Sequence, residues 1–163
     1  MARSRRRRRQ RRVREAAPPG YAKGAHLPEL TGVLLDSDVI IEILRGHAGV
    51  LQAAVALEHS GAPSFCTAIS WAEVYAGVRA GEEEPTRAFF EARGEVAVDG
   101  RMGRQAGAYL ARYARSHGVE IADALIAAAA TTAGLHLWTL NRKHYPMEDV
   151  RFFEPPVSSA PLA

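Results

Sequence analysis

Three carboxylates, Asp36, Glu73 and Asp123, stand where folding alone does not fully account for them, and gathered carboxylate oxygens suit a hard divalent cation. Asp36 follows Val33-Leu34-Leu35, an apolar run that reads as a buried strand, and it opens the polar triplet Asp36-Ser37-Asp38. Ligands of open parallel sheets bind at such strand ends, although a helix N-cap by Asp36 or Ser37 explains the triplet equally well. Glu73 closes Ser70-Trp71-Ala72-Glu73, which fits a capping box. Its neighbours Ile69, Trp71, Ala72, Val74, Tyr75 and Ala76 are largely apolar, a setting that would hold a glutamate against the core. Asp123 is the only charged residue in Ile121 to Ala130, a helix apolar all round. An ionised carboxylate among alanines needs a cation or strong hydrogen bonds, because a helix N-terminus stabilises it by only about 1 kcal/mol. The plain alternative is a first-turn residue that complements the helix dipole and points outward.

A fourth segment, Trp138-Thr139-Leu140-Asn141-Arg142-Lys143-His144-Tyr145, again follows an apolar strand. Thr139 and Asn141 share a face if the strand continues, and either could hydrogen-bond water or phosphate. Arg142 and Lys143 could neutralise a phosphate chain, or be the solvated charges of a polar turn. With carboxylate ligands the expected cation is Mg²⁺ or Mn²⁺. It would position a water for in-line attack on a phosphodiester and stabilise charge on the leaving 3′ oxygen, two ions lying about 4 Å apart in a two-metal site. None of the six histidines is placed for a metal-free acid–base mechanism; His144 is expected to pack at the turn or to contact nucleic acid.

Positioning these residues requires alternating strands and helices, and from residue 31 the chain supplies them. Strands are expected at Val33 to Leu35, Pro63 to Thr67, Glu95 to Val98 and His136 to Thr139, with a last edge strand at Val150 to Phe153. Helices are expected at Val39 to Leu44, Ala48 to His59, Ser70 to Arg79, Thr86 to Ala92, Arg101 to Ser116 and Ile121 to Thr132, the last capped by Gly134. This pattern is an α/β domain with a mostly parallel sheet.

Length and composition agree: 163 residues, 47% of them hydrophobic, suffice for one compact domain. The division is residues 1–30 as a basic extension and linker, 31–155 as the domain, and 156–163 as a tail. Residues 1–15 hold nine Arg and one Glu, so the remainder is acidic although the whole chain carries +3. The Arg block is expected to repel itself, to stay disordered and to be drawn to polyanions such as RNA; a solvated extension without function explains it as well. The lone Cys66 cannot form an internal disulfide, no apolar run spans a bilayer without polar interruption, and no apolar signal core follows the arginines. A cytoplasmic protein without membrane contact is expected.

On Leu34-Leu35-Asp36-Ser37-Asp38-Val39-Ile40-Ile41, Ser70-Trp71-Ala72-Glu73, Ile121-Ala122-Asp123-Ala124-Leu125-Ile126-Ala127-Ala128 and Thr139-Leu140-Asn141-Arg142-Lys143-His144-Tyr145, the chain resembles PIN-domain ribonucleases of the VapC toxin family. Each motif is short, but their order and spacing together are specific, and they cover roughly Val33 to Phe153. The resemblance implies a three-layer α/β/α domain and a metal-dependent endoribonuclease that inhibits translation, leaves a 5′-phosphate and is held inactive by a VapB-type antitoxin. It implies Asp36 and Asp123 as the main Mg²⁺ or Mn²⁺ ligands, Glu73 as the completing carboxylate, and homodimerisation. It also implies an arginine of the antitoxin entering the acidic site. Many PIN domains carry aspartate where this chain has Asn141, which leaves one ion secure and the second conditional. Asn141 is then an accessory residue, with Ser37 beside Asp36, and Thr139 orienting a carboxylate or water.

Two other classes compete. Leu35-Asp36-Ser37-Asp38-Val39 imitates the first motif of haloacid-dehalogenase-like phosphatases, with Asp36 as nucleophile and Asp38 as acid–base. No Gly-Asp pair with a spaced aspartate follows, and Lys143 is the only downstream lysine. The other is a non-catalytic PIN-like RNA-binding module whose affinity comes from the Arg tail.

Overall fold

The computed structural model describes residues 32–155, so the expectations for the basic extension and the final tail lie outside the described residues. Its elements run β1 (Val33–Leu35), α1 (Ser37–Leu44), α2 (Ala48–His59), β2 (Ser64–Thr67), α3 (Ala68–Ala76), α4 (Glu83–Glu91), β3 (Gly94–Val96), α5 (Gly100–His117), α6 (Ile121–Ala133) and β4 (His136–Trp138). A 3₁₀ turn, Arg142–His144, follows.

The four strands form one parallel sheet in the order β3-β2-β1-β4. β1 is central, and its side chains alternate between faces as strand geometry dictates. Val33 and Leu35 pack with Val39 and Ile40 of α1, Val50, Ala54 and Leu57 of α2, Val74 of α3 and Phe90 of α4. Leu34 packs on the other face with α5 and α6. Two cores on opposite faces make the expected three-layer α/β/α arrangement. Ala127 to Ala130 of α6 are fully buried, because methyl-sized side chains let this helix lie close to the sheet.

Several boundaries differ from the expectation: α1 begins at Ser37, two residues early, α4 at Glu83, three residues early, and β3 ends at Val96, two residues short. Val150 to Phe153 forms no strand; only a single parallel bridge joins Leu137 to Phe152. Helix α3 begins at Ala68, with the Thr67 hydroxyl accepting from the Ser70 N–H at 3.2 Å. The expected Ser70–Glu73 capping box therefore does not form, since Ser70 is already helical and its buried hydroxyl donates to Leu35 O at 3.3 Å. The same helix ends at Ala76, before the expected Arg79.

Gly134 caps α6 as expected, in the left-handed conformation at φ +70°. Gly134→Ala should lower stability by about 1 kcal/mol, because only glycine adopts this φ without penalty. A thermal melt indistinguishable from wild type would contradict that assignment.

Candidate metal centre

The site lies where the sheet order reverses. The chain steps from β1 outward to β2 and β3, then returns to place β4 on the other side of β1. Such a switch point leaves a crevice beyond the strand ends, and here Asp36 and Thr139 directly follow β1 and β4. The Asp36 N–H bonds to Trp138 O at 2.9 Å, tying the two strand ends together.

Asp36 is 6% exposed. Its Oδ1 accepts from the Ser37 N–H at 2.8 Å, so it is the N-cap of α1. Its Oδ2 accepts from the Tyr145 hydroxyl, also at 2.8 Å and buried. The cap reading is thus realised, and the same side chain stands at the crevice. Burial raises its pKa against the hydrogen bonds from Tyr145, Thr139 and Ser37, and the negative charge of Asp123 adds to the rise.

Glu73 projects from α3 toward the start of α1, where its Oε2 accepts from the Ser37 hydroxyl at 2.7 Å. Desolvation pushes its pKa up, against the Ser37 hydrogen bond, with repulsion from Asp36, Asp123 and Glu120 pushing the same way. Ser37 therefore joins two of the expected site carboxylates, through its backbone to Asp36 and its side chain to Glu73. Asp123 is mostly buried, its side chain 17% exposed, and its Oδ2 accepts from the Glu120 N–H at 2.8 Å. It thus has a structural partner at the head of α6, and its Oδ2 lies 3.7 Å from His144 Nδ1. The capping box thus forms at Asp123, whose Oδ2 takes the Glu120 N–H, and not at Glu73, which reaches Ser37 instead.

Asp38 is a site residue that sequence reasoning used only for the phosphatase alternative. Its Oδ2 accepts from the Leu140 N–H at 3.0 Å and the Thr139 hydroxyl at 3.3 Å, pinning the loop after β4 to the first turn of α1. Its Oδ1 is buried without a partner. Burial and then the charge of Asp36 push the Asp38 pKa up to about 6. Thr139 orients a carboxylate as expected, and its oxygen also accepts from the Asn141 N–H at 3.0 Å. The Asn141 amide nitrogen lies 3.4 Å from the His144 ring nitrogens.

Tyr145 is the other residue missed. It looked like the end of a polar turn, whereas the 3₁₀ turn folds it back under β1, 3% exposed. Arg142, expected to face phosphate, is held by Glu154 at 2.7 Å and Phe153 O at 3.2 Å, over the Phe152 ring. Lys143 is exposed and makes no ion pair among the described residues.

The donor set fits a divalent cation in charge and type. Asp36, Asp38, Glu73 and Asp123 come together with no Lys or Arg paired to any of them among the described residues, and one buried Asp38 oxygen is left unpartnered. They do not form a closed cage: among the described residues, no three carboxylate, imidazole or thiolate groups lie close enough to enclose an ion together. Mg²⁺ suits such an open arrangement, since it keeps several waters and takes only one or two protein carboxylates.

Comparison with known proteins agrees with this geometry. The PIN domain family model matches residues 33–150. Ribonuclease VapC10 of Mycobacterium tuberculosis is 38% identical over 117 residues, covering 71% of this chain and 86% of the relative. FitAcB from Neisseria gonorrhoeae superimposes with a TM-score of 0.57 at 27% identity, over 76% of this chain and 97% of that one. A toxin–antitoxin complex from Klebsiella pneumoniae shares the fold, with a TM-score of 0.62 at 21% identity over 77% and 98% of the two chains. Such a match leaves no place for the haloacid-dehalogenase-like reading, and the chain belongs to the PIN-domain family, in its VapC ribonuclease branch.

Proposed function

We propose that this chain is a Mg²⁺- or Mn²⁺-dependent endoribonuclease, the toxin of a toxin–antitoxin pair, which hydrolyses RNA phosphodiesters in the cytoplasm and so inhibits translation. The observation that carries the reading is the mutually repelling carboxylate group at the switch-point crevice, buried at Asp36, half-buried at Asp38 and Asp123 and exposed at Glu73, with no Lys or Arg paired to it among the described residues. The bound ion supplies charge neutralisation at the phosphate and activation of the attacking water. The chain's own residues do the positioning. Asp36, fixed by Ser37, and Asp123, fixed by the Glu120 backbone, are the main ligands, Glu73, also held by Ser37, completes the acidic set, and Asp38 keeps the Thr139–Asn141 loop against α1. Asn141 is an accessory contact to water or phosphate, and exposed Lys143 meets the RNA backbone. Arg142, already paired, serves the C-terminal segment.

Partners follow from the surface. Ile41, Leu44, Val74, Val78 and Pro85, with Arg45, Arg79 and Glu82 among them, line a groove of about 180 Å³ between α1, α3 and α4, a seat of mixed character for a VapB-type antitoxin. Leu51 and Val55 of α2 and Tyr75 of α3 stay exposed, which supports homodimerisation through these helices. No single helix among the described residues is long and apolar enough to cross a membrane.

The test is RNA cleavage by the purified full chain over a broad substrate panel, with Mn²⁺, Mg²⁺ or EDTA. Cleavage should need the metal, and Glu73→Gln and Asp123→Ala should each lower it by about tenfold or more. RNA that is bound but never cut under any condition would leave only the non-catalytic binding module.

A further inference from the structure

We propose that Tyr145 is a positioning residue of the nuclease site, holding the Asp36 carboxylate in the orientation that receives the metal ion. The inference rests on the nuclease reading above and adds a residue to it.

Asp36 is gripped from two sides. The Ser37 N–H, on α1, takes Oδ1, and the Tyr145 hydroxyl, beyond β4 in sequence, takes Oδ2, each at 2.8 Å. An ionised carboxylate only accepts, so the phenol is the donor, and each oxygen keeps a lone pair for a cation. Two donors on separate elements fix both the position and the plane of the carboxylate, which one backbone cap alone leaves free to twist. Tyr145 is itself immobilised. Its N–H bonds to Arg142 O at 2.9 Å, closing the 3₁₀ turn, and its ring packs in the core formed by α5, α6 and Leu34. The ring alone would serve that packing; the hydroxyl adds a directed, charge-assisted hydrogen bond at the site.

A second buried tyrosine provides a matched control. Tyr109 of α5, 6% exposed, donates to Asp149 Oδ2 at 2.6 Å, and Asp149 is not one of the site carboxylates. Tyr109→Phe and Tyr145→Phe each delete one hydroxyl that donates to a carboxylate, part-buried at Tyr109 and buried at Tyr145, so loss of stability is common to both. Loss of metal affinity is expected of one alone.

Calorimetric titration of the full chain with Mn²⁺ alone, beside RNA cleavage and thermal melts, separates the cases. Tyr145→Phe should bind Mn²⁺ about tenfold more weakly and cut RNA correspondingly more slowly. Tyr109→Phe should match wild type in both while melting lower. A Tyr145→Phe dissociation constant within about twofold of wild type overturns the proposal. A wild type that neither binds Mn²⁺ nor cuts RNA overturns the nuclease reading, and this one with it. Should Tyr145→Phe not fold, the Tyr145 hydroxyl proton of wild type, assigned by NMR through its own ring, gives the answer. It should shift with added Mg²⁺ at the midpoint of a parallel calorimetric titration with Mg²⁺, and a resonance indifferent to saturating Mg²⁺ overturns the proposal.

Discussion

Asp36→Asn should reduce metal-dependent RNA cleavage by at least about a hundredfold while leaving the fold nearly as stable as wild type. The two halves of that expectation have separate causes. Asp36 meets one close donor at each oxygen, with the Thr139 hydroxyl as a further, weaker one. An asparagine keeps the cap by accepting the Ser37 N–H through its carbonyl oxygen, while its amide donates to the Tyr145 hydroxyl oxygen, which can accept. The exchange of two charge-assisted hydrogen bonds for neutral ones costs about 1 kcal/mol. Against this, the substitution removes a buried charge that repels Asp38 and Glu73, and the Asp38 and Glu73 pKa values should fall back toward those of ordinary carboxylates. Stability is therefore close to balanced, whereas the ligand charge is lost outright. The checks are a thermal melt in EDTA, Mn²⁺ calorimetry and single-turnover cleavage on one RNA. Cleavage within about tenfold of wild type would remove Asp36 from the ligand set.

The sequence made the fold legible because its signals were local. Val33-Leu34-Leu35 must be buried on both faces, and Ile121 to Ala130 reads as an interior helix, which holds for Ala124 and Ile126 to Ala130 while Ile121 is exposed. Gly134 was recognisable as a stop because a left-handed residue there closes the helix. The edge expected at Val150 to Phe153 was overstated because apolar content says nothing about whether a neighbour supplies a ladder; here one bridge forms. At the site, residue types were legible and roles were not. Whether Glu73 caps its own helix or reaches Ser37 depends on where α3 begins, and Thr67, three residues ahead of Ser70, takes the cap. Asp38 and Tyr145 act across 102 and 109 residues of chain, and no periodicity encodes such contacts. The one available signal for Asp38 was its place in a triplet already suspected of lying at the crevice. Arg142 illustrates the converse, a charge in a suggestive motif whose partner, Glu154, lies twelve residues on and keeps it for the C-terminal segment.

Asp38→Asn should stabilise the metal-free protein at neutral pH and flatten its pH dependence. The folded-state pKa of Asp38 is raised from 3.8 to about 6, so between those values the native state holds more protons than the unfolded chain. Stability therefore falls as pH rises from about 4 through about 6, and levels off above. The raised values of Asp36 and Glu73 act with the same sign. Taken in full, the Asp38 displacement corresponds to ~3 kcal/mol. Solvent reaches part of the side chain, which reduces the expected cost to ~1–2 kcal/mol. Asparagine can still accept from the Leu140 N–H and the Thr139 hydroxyl, and its amide takes the place of the unpartnered Oδ1, so the loop anchor survives while the charge goes. In EDTA at pH 7 the variant should melt about 3–8 °C above wild type, the difference vanishing near pH 4. Saturating Mn²⁺ should reverse the wild-type slope, because a cation binds the deprotonated carboxylates and stabilises the folded state more as they ionise. A wild-type profile in EDTA that is flat between pH 4 and 7, or that rises, would mean that these carboxylates are not under mutual strain without metal, and would remove the electrostatic reason for placing the ion here.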